Sequence, residues 1–525
     1  MISAFTGQQI RDAEKPFLDS GGGAVLMQRA AYGLAQEVVR EIRKRRRLAG
    51  ASVTVLVGKG NNGGDGLFAA AILARRGMRT TAVLASDGAH AEGLASFVAA
   101  GGRVLRLDAG NAEELAVSCA GADVLIDALL GTGARGGLRG AAAELVSLLQ
   151  ELGPTCVVAC DVPSGLDANT GEVHWPVLEA DVTVTFGGIK AGLVVDPGEG
   201  CAGRVVVVEI GIEAPLRLLS PEVRRLAASD LARLLPKPER RSQKYTRGVL
   251  GVVAGSSRYV GAAALCVHAA ALSGVGMVRY LGPEAAARQV LSITPEALWE
   301  AGEPGRVQAW LVGPGVDGDE QQGRVKNAMT AALGAGTPMI VDAGALSLLP
   351  QKCPANWILT PHAGELATLL AALPATGEVA VTRDDVEARP LHFVRQAAEL
   401  TGATVHLKGA TTLVASPSGV VFSQSEGTPW MATAGSGDVL AGILGALAAQ
   451  STDALTDDDG AYAALGLERD DRWAAVAAVA ASVHGRAGSA ASQEFDGGPL
   501  TASAIKNAVP RVLGSLYAEC DRTRP

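Results

Sequence analysis

Several apolar strand patterns in the chain end in short runs of glycine, acidic and hydroxyl residues, and one of these runs has the composition of a phosphate-transfer site. Residues 433–442 read Thr-Ala-Gly-Ser-Gly-Asp-Val-Leu-Ala-Gly, a glycine-rich turn that leads directly into an apolar helical pattern. Glycines allow successive backbone N–H groups to point into one concavity, and the helix adds the positive end of its dipole. Asp438 falls in the first turn, where it could accept a proton from a hydroxyl beside a transferring phosphoryl group. Taken alone, the motif fits an ordinary capped helix start equally well.

A second polar turn precedes this one in the same half of the chain. Residues 405–414 read Val-His-Leu-Lys-Gly-Ala-Thr-Thr-Leu-Val, which is the pattern strand, turn, strand. The turn offers a cation, a glycine and two hydroxyls, a set that suits a nucleotide phosphate. Two further strand patterns lead into helices upstream, at residues 338–346 and 358–366.

The N-terminal half contains a different glycine-rich turn. An apolar β-rich run at residues 53–57 is followed by Gly-Lys-Gly-Asn-Asn-Gly-Gly-Asp-Gly at residues 58–66 and then by an apolar helix start. Strand, glycine-rich turn and helix form the arrangement of dinucleotide-binding folds. Two asparagines and an aspartate replace the usual G-x-G-x-x-G, so the turn offers amide oxygens and a carboxylate as well as backbone N–H groups. A turn of this length and composition is specific and predicts a ligand site.

Two more strand patterns in this half end in acidic and hydroxyl residues. One carries Asp127 and continues into residues 131–138, and the next ends in Asp161 and Ser164. The carboxyl ends of parallel strands meet at the edge of the sheet where ligands bind, so we expect these residues to lie close to Asn62. Oxygen donors without histidine or cysteine suit an alkali or alkaline-earth cation rather than zinc.

Length and charge limit the classes of protein to which the chain can belong. At roughly 100 to 200 residues per domain, a chain of 525 residues predicts two or three domains. The formal net charge of -8 argues against nucleic acid or an anionic membrane as the main partner. The one basic run, at residues 43–47, ends a helical pattern, where cations complement the helix dipole.

The seven cysteines favour a reducing compartment. They show no paired C-x-x-C spacing, and an odd number without a framework fits the cytoplasm. Cys156 and Cys160 flank a strand pattern and are predicted to be buried rather than reactive. The first residues lack the basic start and long apolar core of a secretory signal, and apolar helical runs such as residues 473–483 are too short to cross a bilayer. We therefore expect a cytoplasmic protein.

Three stretches suggest how the chain is organised. Residues 10–48 have helical periodicity with one broad apolar face, which predicts a docking helix. A polar connector at residues 220–241 contains three prolines, and we place the domain boundary there, between residues 220 and 225. Residues 451–471 are acidic and rich in turn formers, and are predicted to be a surface insertion.

Residues 1–215 resemble the NAD(P)HX epimerases, a Rossmann-like family that acts on hydrated NADH and NADPH (NADHX and NADPHX). The turns at residues 58–66 and 131–137, the strand end at residues 156–167 and the segment 183–193 carry the resemblance. It implies that the substrate is held by Asn61, Asn62, Gly63, Gly64 and Asp65, by Gly131, Thr132, Gly133, Ala134, Arg135, Gly136 and Gly137, and by Asp161. It also implies a potassium ion held by Asn62, Asp127 and Ser164, and we further predict that Asp161 is catalytic and exchanges the proton that interconverts the epimers.

Three positions in this half stay open. Lys190 fits either a contact with a substrate phosphate or, more simply, a solvated lysine. Residues 27–30 read Met-Gln-Arg-Ala where many family members have Met-Glu-Asn-Ala, so no role is carried over to these two polar positions.

The C-terminal half resembles the ADP- or ATP-dependent NAD(P)HX dehydratases, which have a ribokinase-like fold. The strand ends and turns described above carry the resemblance, together with residues 245–262 and 311–316. It implies substrate contacts by Ala262, Gly315, His362 and Asp438, with Asp438 as the catalytic base. It implies a nucleotide site formed by Lys408, Gly409, Ala410, Thr411, Thr412, Gly435, Ser436 and Gly437, with Mg²⁺ as the counter-ion. For His362 the alternative is a plain helix cap, because a histidine after Thr-Pro often fills that role.

The sequence therefore predicts an α/β protein with an N-terminal Rossmann-like three-layer sandwich, residues 1–220, and a C-terminal ribokinase-like domain, residues 225–525. The predicted function is repair of nicotinamide nucleotides: the first domain interconverts the R and S epimers of NADHX or NADPHX, and the second dehydrates the S form at the expense of ADP or ATP. We expect K⁺ in the first domain, Mg²⁺ in the second, no nucleic acid or membrane partner, and a homo-oligomer.

Two other functions are compatible with the motifs. The same G-x-G-D turn serves small-molecule kinases that release a stable phosphate ester of a sugar or a hydroxymethylpyrimidine. The N-terminal half could also be a module that only senses NAD(P). Acidic residues at strand and helix ends, Asp161 and Asp438, favour chemistry over sensing.

Overall fold

The computed structural model describes residues 1–300, 305–373 and 381–522, and the chain divides into two compact α/β units. The N-terminal unit is Ser3–Val223. The C-terminal unit is Arg224–Pro525 together with Met1–Ile2.

The N-terminal unit alternates strands with helices along the chain. Its strands are β1 (Ile2–Phe5), β2 (Ser52–Val57), β3 (Arg79–Leu84), β4 (Arg103–Arg106), β5 (Val124–Ala128), β6 (Val157–Cys160), β7 (Val182–Phe186), β8 (Ile189–Lys190) and β9 (Arg204–Val208). Its helices are α1 (Gly7–Asp19), α2 (Gly23–Arg45), α3 (Asn61–Arg75), α4 (Ala91–Ala99), α5 (Ala112–Ala120), α6 (Gly140–Leu152), α7 (Gly198–Ala202) and α8 (Glu213–Leu216).

A parallel sheet forms the middle layer of this unit, and its strand order is β4-β3-β2-β5-β6-β7-β9. Successive residues of β2 point to opposite faces, as the period of a strand requires. Val55 packs in the core that also holds Leu34 of α2, whereas Leu56 packs with Leu145 of α6. Helices therefore cover both faces of the sheet, which is the predicted three-layer arrangement.

The C-terminal unit has the same alternation and a longer series of helices. Its strands are β10 (Val223–Arg225), β11 (Val249–Val253), β12 (Met277–Tyr280), β13 (Leu298–Trp299), β14 (Ala309–Val312), β15 (Met339–Val341), β16 (Trp357–Leu359), β17 (Thr404–Leu407), β18 (Thr412–Ala415) and β19 (Val421–Gln424). Its helices are α9 (Ala228–Leu234), α10 (Val260–Leu272), α11 (Glu284–Ile293), α12 (Asp319–Ala335), α13 (Ala363–Ala371), α14 (Arg383–Ala388), α15 (Pro390–Thr401), α16 (Ser436–Thr456), α17 (Arg472–Gln493) and α18 (Ala502–Arg522).

The sheet of this unit runs in the order β13-β12-β11-β14-β15-β16-β17-β18-β19-β10. Neighbouring strands are parallel from β13 to β17, and β18 is antiparallel to both β17 and β19. The core is built largely from alanine, valine and leucine of α10, α16, α17 and α18. The ribokinase-like α/β class predicted for this half agrees with this architecture.

Two predicted segments differ in the structure. The single helix expected over residues 10–48 is two helices, α1 and α2, because Gly21 adopts a φ of 81° that a continuing helix cannot contain. The acidic stretch 451–471 is not purely a surface insertion, since it begins inside α16, and Tyr462 and Leu467 from it lie in the hydrophobic core.

The helix α16 corrects the expectation that the apolar runs are too short to cross a bilayer. Among the described residues it is the one helix long and apolar enough to do so by length and composition. Of its apolar window, 72% is buried inside the protein, and the core helix of a globular unit passes the same test. Six cysteines are free and buried, Cys156 and Cys160 among them, as predicted; the Cys520 side chain lies outside the described part.

Candidate active sites

The carboxyl edge of the N-terminal sheet opens into a cleft of about 1180 Å³. The strand order turns back between β2 and β5, so the connections after these two strands diverge and leave a crevice between them. Segments after both strands line the cleft, including residues 58–62 and 129–134. The cleft therefore lies where the glycine-rich turns predicted a ligand site.

The glycine-rich turn after β2 is shorter than predicted, because α3 already begins at Asn61. Asn61, Asn62 and Asp65 line the cleft, whereas Gly63 and Gly64 are buried and do not. A Cβ on Gly63 would lie 2.1 Å from the carbonyl oxygen of Gly58. Glycine is needed here for close backbone packing of the helix start.

The second turn of the cleft, residues 131–137, divides in the same way. Gly131, Thr132, Gly133, Ala134 and Gly137 line the cleft. Arg135 is exposed, and neither it nor Gly136 lines the cleft.

Three residues predicted to bind a cation are joined by hydrogen bonds. The carboxylate of Asp127 accepts from the backbone N–H of Ser164 at 2.8 Å and from its hydroxyl at 2.5 Å. Ser164 in turn accepts from the N–H of Leu130, and Asn62 donates its amide to the Leu130 carbonyl at 2.8 Å. Burial raises the pKa of Asp127. A single buried carboxylate among amide, hydroxyl and carbonyl oxygens fits a monovalent cation in its donor chemistry.

Lys190 is not solvated, so that simpler interpretation is wrong. Its side chain is 2% exposed, and its ammonium lies 2.5 Å from a carboxylate oxygen of Asp161. The ammonium also donates to the Thr185 hydroxyl and the Phe186 carbonyl, both at 3.0 Å. Every donor of the ammonium is thereby used within the unit, which leaves Lys190 as the partner of the predicted catalytic acid.

Asp161 is held in place from several directions. Thr132 donates its hydroxyl and its backbone N–H to the other carboxylate oxygen. Burial alone would raise the pKa of Asp161, but the charge and hydrogen bond of Lys190 outweigh it and hold the pKa below its usual value. The backbone of Asp161 has a φ of 70°, a conformation that non-glycine residues adopt rarely and that clusters at functional sites. The turn 131–137 and the Asp161 carboxylate are thus hydrogen-bonded to each other.

The C-terminal candidate site is built at the start of α16. Gly435 precedes the helix with a φ of 88°, and a Cβ there would lie 2.5 Å from Leu265, so glycine is required by both backbone and packing. Ser436 and Gly437 follow as the first helical residues, and Asp438 lies in the first turn. Burial and the charge of Asp342 raise the pKa of Asp438 to about 7, despite the opposing charge of Lys408.

Lys408 connects the two predicted parts of the nucleotide site. Its ammonium lies 2.9 Å from Asp342 and 3.7 Å from Glu365, and it would be 3.6 Å from a Cβ placed on Gly437. Gly409 and Ala410 beyond it are exposed. The lysine of the turn after β17 therefore reaches the glycine turn before α16.

The remaining predicted residues are distributed around these elements. A Cβ on Gly315 would lie 2.7 Å from that of Ala262, so these two residues are in contact. His362 caps α13 by accepting from two backbone N–H groups, and its side chain is 59% exposed. His362 therefore caps the helix, as the alternative interpretation predicted, and its side chain is still exposed to solvent. Thr411 is buried and Thr412 begins β18.

Asp342 is the principal residue of this site that the sequence prediction did not select. It is 2% exposed, binds Lys408, and accepts from the Thr360 hydroxyl at 2.8 Å. Its position at the end of an apolar strand was the available signal. Within the described residues, no group of three or more histidine, cysteine or acidic side chains could hold a metal ion.

Comparisons with known proteins cover both units. The family model described as NAD(P)H-hydrate dehydratase matches residues 250–511, and the one described as YjeF-related protein N-terminus matches residues 23–192. The bifunctional NAD(P)H-hydrate repair enzyme Nnr of Mycobacterium tuberculosis is 42% identical over 450 residues, 84% of this chain and 88% of that relative. Its counterpart in Moorella thermoacetica is 31% identical over 528 residues, 95% of this chain and 93% of that relative. A solved ADP/ATP-dependent NAD(P)H-hydrate dehydratase from Bacillus subtilis, co-crystallized with ATP/Mg²⁺, is 25% identical, covers 56% of this chain and 99% of its own, and has a TM-score of 0.45.

Proposed function

Because the chain belongs to the bifunctional NAD(P)H-hydrate repair enzymes, we propose that its N-terminal unit interconverts the epimers of NADHX and NADPHX and that its C-terminal unit dehydrates the S epimer with ADP or ATP. Hydration of the nicotinamide ring produces two epimers at one carbon, so a stereospecific dehydratase clears both only if something interconverts them. Two units of one chain, with their boundary near residues 220–225, would catalyse the epimerisation and the dehydration.

The observation that carries the dehydratase assignment is Asp438 with its pKa of about 7 beside Lys408 and the glycine turn. A hydroxyl is a poor leaving group in water, whereas a phosphate ester leaves readily. Asp438 takes the hydroxyl proton, and a base whose pKa lies near the working pH is best suited to do so. Backbone N–H groups of residues 435–437 and the ammonium of Lys408 stabilise charge on the transferring phosphoryl group.

Mg²⁺ would reach this site chiefly on the phosphates of the nucleotide. The described residues offer no cluster of three acidic, histidine or cysteine ligands, and Mg²⁺ is usually bound by one or two carboxylates plus substrate phosphates. Asp342 and Glu365 are already drawn to Lys408, which leaves few protein ligands free. The metal would neutralise phosphate charge.

In the N-terminal cleft, Asp161 exchanges the proton that allows the epimers to interconvert, and Lys190 keeps it ionised. Asn62, Asp127 and Ser164 would hold K⁺, which supplies positive charge beside the loops of the cleft. Residues 61–62 and the lining residues of 131–137 bind the substrate.

We also propose a homo-oligomer that works in the cytoplasm on small molecules only. The outer strand β13 exposes Leu298 and Trp299 to 44% and 40%, and apolar side chains on an edge strand favour pairing with another chain. The buried free cysteines suit a reducing compartment.

The test is to mix the purified protein with each separated epimer of NADHX, with and without ADP or ATP and Mg²⁺. We expect either epimer to be converted fully to NADH when nucleotide is present, and the two to equilibrate when it is absent. Formation of a phosphorylated sugar or pyrimidine, with hydrated NADH left untouched, would replace the dehydratase assignment by a kinase.

A further inference from the structure

Besides Asp161, three acids line the N-terminal cleft; Asp12 is exposed, whereas Glu14 and Asp65 are partly or fully buried. Glu14 on α1 and Asp65 on α3 both line the cleft that Asp161 and Lys190 line. Asp65 is only 9% exposed, and its Oδ1 atom is buried without a hydrogen-bond partner among the described residues. A buried carboxyl oxygen that lacks a partner is costly, and such burial favours the protonated form of the acid. The function proposed above gives Glu14 no role, and the sequence predicts only a substrate contact for Asp65.

The helix α1 is packed directly against the turn 131–137. Gly7, its first residue, donates its backbone N–H to the Asn169 side chain at 2.8 Å. A Cβ on Gly7 would lie 2.3 Å from the methyl group of Thr132, the residue that hydrogen-bonds Asp161. Glu14 follows seven residues later, and positions i and i+7 share one face of a helix. The face of α1 that meets the turn therefore also carries Glu14 into the cleft.

Burial and the charges around Glu14 and Asp65 disfavour ionisation of both acids. Burial, followed by the negative charges of Asp161 and Glu14, raises the pKa of Asp65 well above its usual range. Burial also raises the pKa of Glu14, and Lys190 and Arg11 oppose that rise while Asp161 adds to it. Of the two acids, Asp65 therefore holds its proton more tightly than Glu14 does.

Epimerisation at a carbon that bears a hydroxyl and a ring nitrogen requires proton transfer on two faces. An acid protonates the hydroxyl, the carbon–oxygen bond breaks with its electron pair leaving on water, and the nitrogen lone pair forms a carbon–nitrogen double bond. Water then adds to the opposite face, the double-bond pair returns to nitrogen, and the bound water gives its proton to a carboxylate. No proton or electron is gained or lost overall. A single acid cannot serve both faces of a ring held in one orientation.

We propose that Glu14, with Asp65 in the same cleft, is the second acid–base group of the epimerase and serves the ring face opposite to Asp161. The proposal rests on the epimerase function proposed above. Glu14 receives or returns the proton of the water, and Asp65 is a second carboxyl group that lines the same cleft. Glu14 and Asp65 belong to α1 and α3, whereas Asp161 follows the end of β6.

Glu14→Gln in the full-length protein tests this. Epimerisation should fall by about 10²-fold or more, the usual loss for an acid–base group, while dehydration of the S epimer, which uses the other unit, stays unchanged. Glu14→Asp should recover part of the rate, and Asp19→Asn, an exposed acid at the end of the same helix, should have no effect.

The pH profile separates catalysis from a merely structural role. The acidic limb of kcat/KM for epimerisation should move to lower pH in Glu14→Gln, because the remaining acid, Asp161, has the lower pKa. In ¹⁸O-labelled water the wild type should incorporate label into the hydroxyl as fast as it epimerises. Epimerisation by Glu14→Gln within about threefold of wild type, an unmoved acidic limb, or epimerisation without label would each overturn the proposal. A wild type that does not epimerise would instead refute the proposed function itself.

Discussion

Asp438→Asn should abolish dehydration and at the same time stabilise the C-terminal unit at neutral pH. The chemical loss should be about 10²–10⁴-fold in kcat, since the amide cannot accept the hydroxyl proton. Nucleotide binding should survive because the two side chains are nearly isosteric, and epimerisation should be unchanged because it uses the other unit. In the wild type, dehydratase activity should rise with pH through about 7, where Asp438 loses its proton.

The stability gain follows from the same raised pKa. An acid with a folded pKa of about 7 and an ordinary unfolded pKa near 3.9 is protonated in the native state over a range in which the unfolded state ionises. Stability therefore falls as pH rises across that window, by about 1.36 kcal/mol per unit and at most about 4 kcal/mol in total. Asparagine removes this cost. The variant should match wild type at about pH 4 and exceed it at about pH 8.

Denaturant unfolding of both proteins at the two pH values, beside dehydratase turnover, checks both parts. Turnover within about tenfold of wild type would exclude Asp438 as the base. Lost turnover with an equal stability difference at both pH values would contradict the raised pKa, and with it the explanation of why this carboxylate is a competent base.

Three further substitutions test residues of the two proposed active sites. Asp342→Asn removes a charge that raises the pKa of the dehydratase base, so the acidic limb of the dehydratase profile should move to lower pH; an unchanged limb in pH–rate measurements would contradict this. Lys190→Met leaves a buried carboxylate unpaired and should destabilise the N-terminal unit by about 3–5 kcal/mol at neutral pH, less as acidification protonates that carboxylate, which unfolding curves across pH will measure. Asp127→Ala should weaken K⁺ activation of epimerisation and leave dehydration unaffected; equal K⁺ dependence in both proteins would remove this residue from the cation site.

The turns and strand ends were predictable because each is a local pattern. The glycines of residues 58–66 indicate a strand-to-helix connection, and a parallel sheet then brings such connections to one edge. The same holds for Asp438, whose position after two glycines fixes it in the first turn of α16. Local patterns did not predict that α3 starts at Asn61. Glycines in such a segment usually form a loop, but in this protein they form a closely packed helix start.

Partners distant in sequence were beyond local patterns. Lys190 lies 29 residues from Asp161 and Lys408 lies 66 from Asp342, so each ion pair depends on which strands become neighbours. The run of small and apolar residues around Lys190 was a signal for burial, and a lysine within it should have suggested a buried partner. The break of residues 10–48 into two helices had a clearer signal, the three consecutive glycines at residues 21–23.

The pKa values of the two proposed catalytic acids are shifted in opposite directions, and the difference suits the reactions proposed for them. Lys190 holds Asp161 ionised as a weak base. Such a base can accept a proton and readily return it, which suits an exchange between epimers of nearly equal energy. Asp438 lies beside another carboxylate, Asp342, and its cation is shared with that neighbour, so it is a far stronger base when ionised. Deprotonation of an alcohol during phosphoryl transfer needs that strength. Exchanging the two environments, with a cation bound directly to Asp438 alone, would therefore be expected to leave the acid ionised at neutral pH and yet slow dehydration.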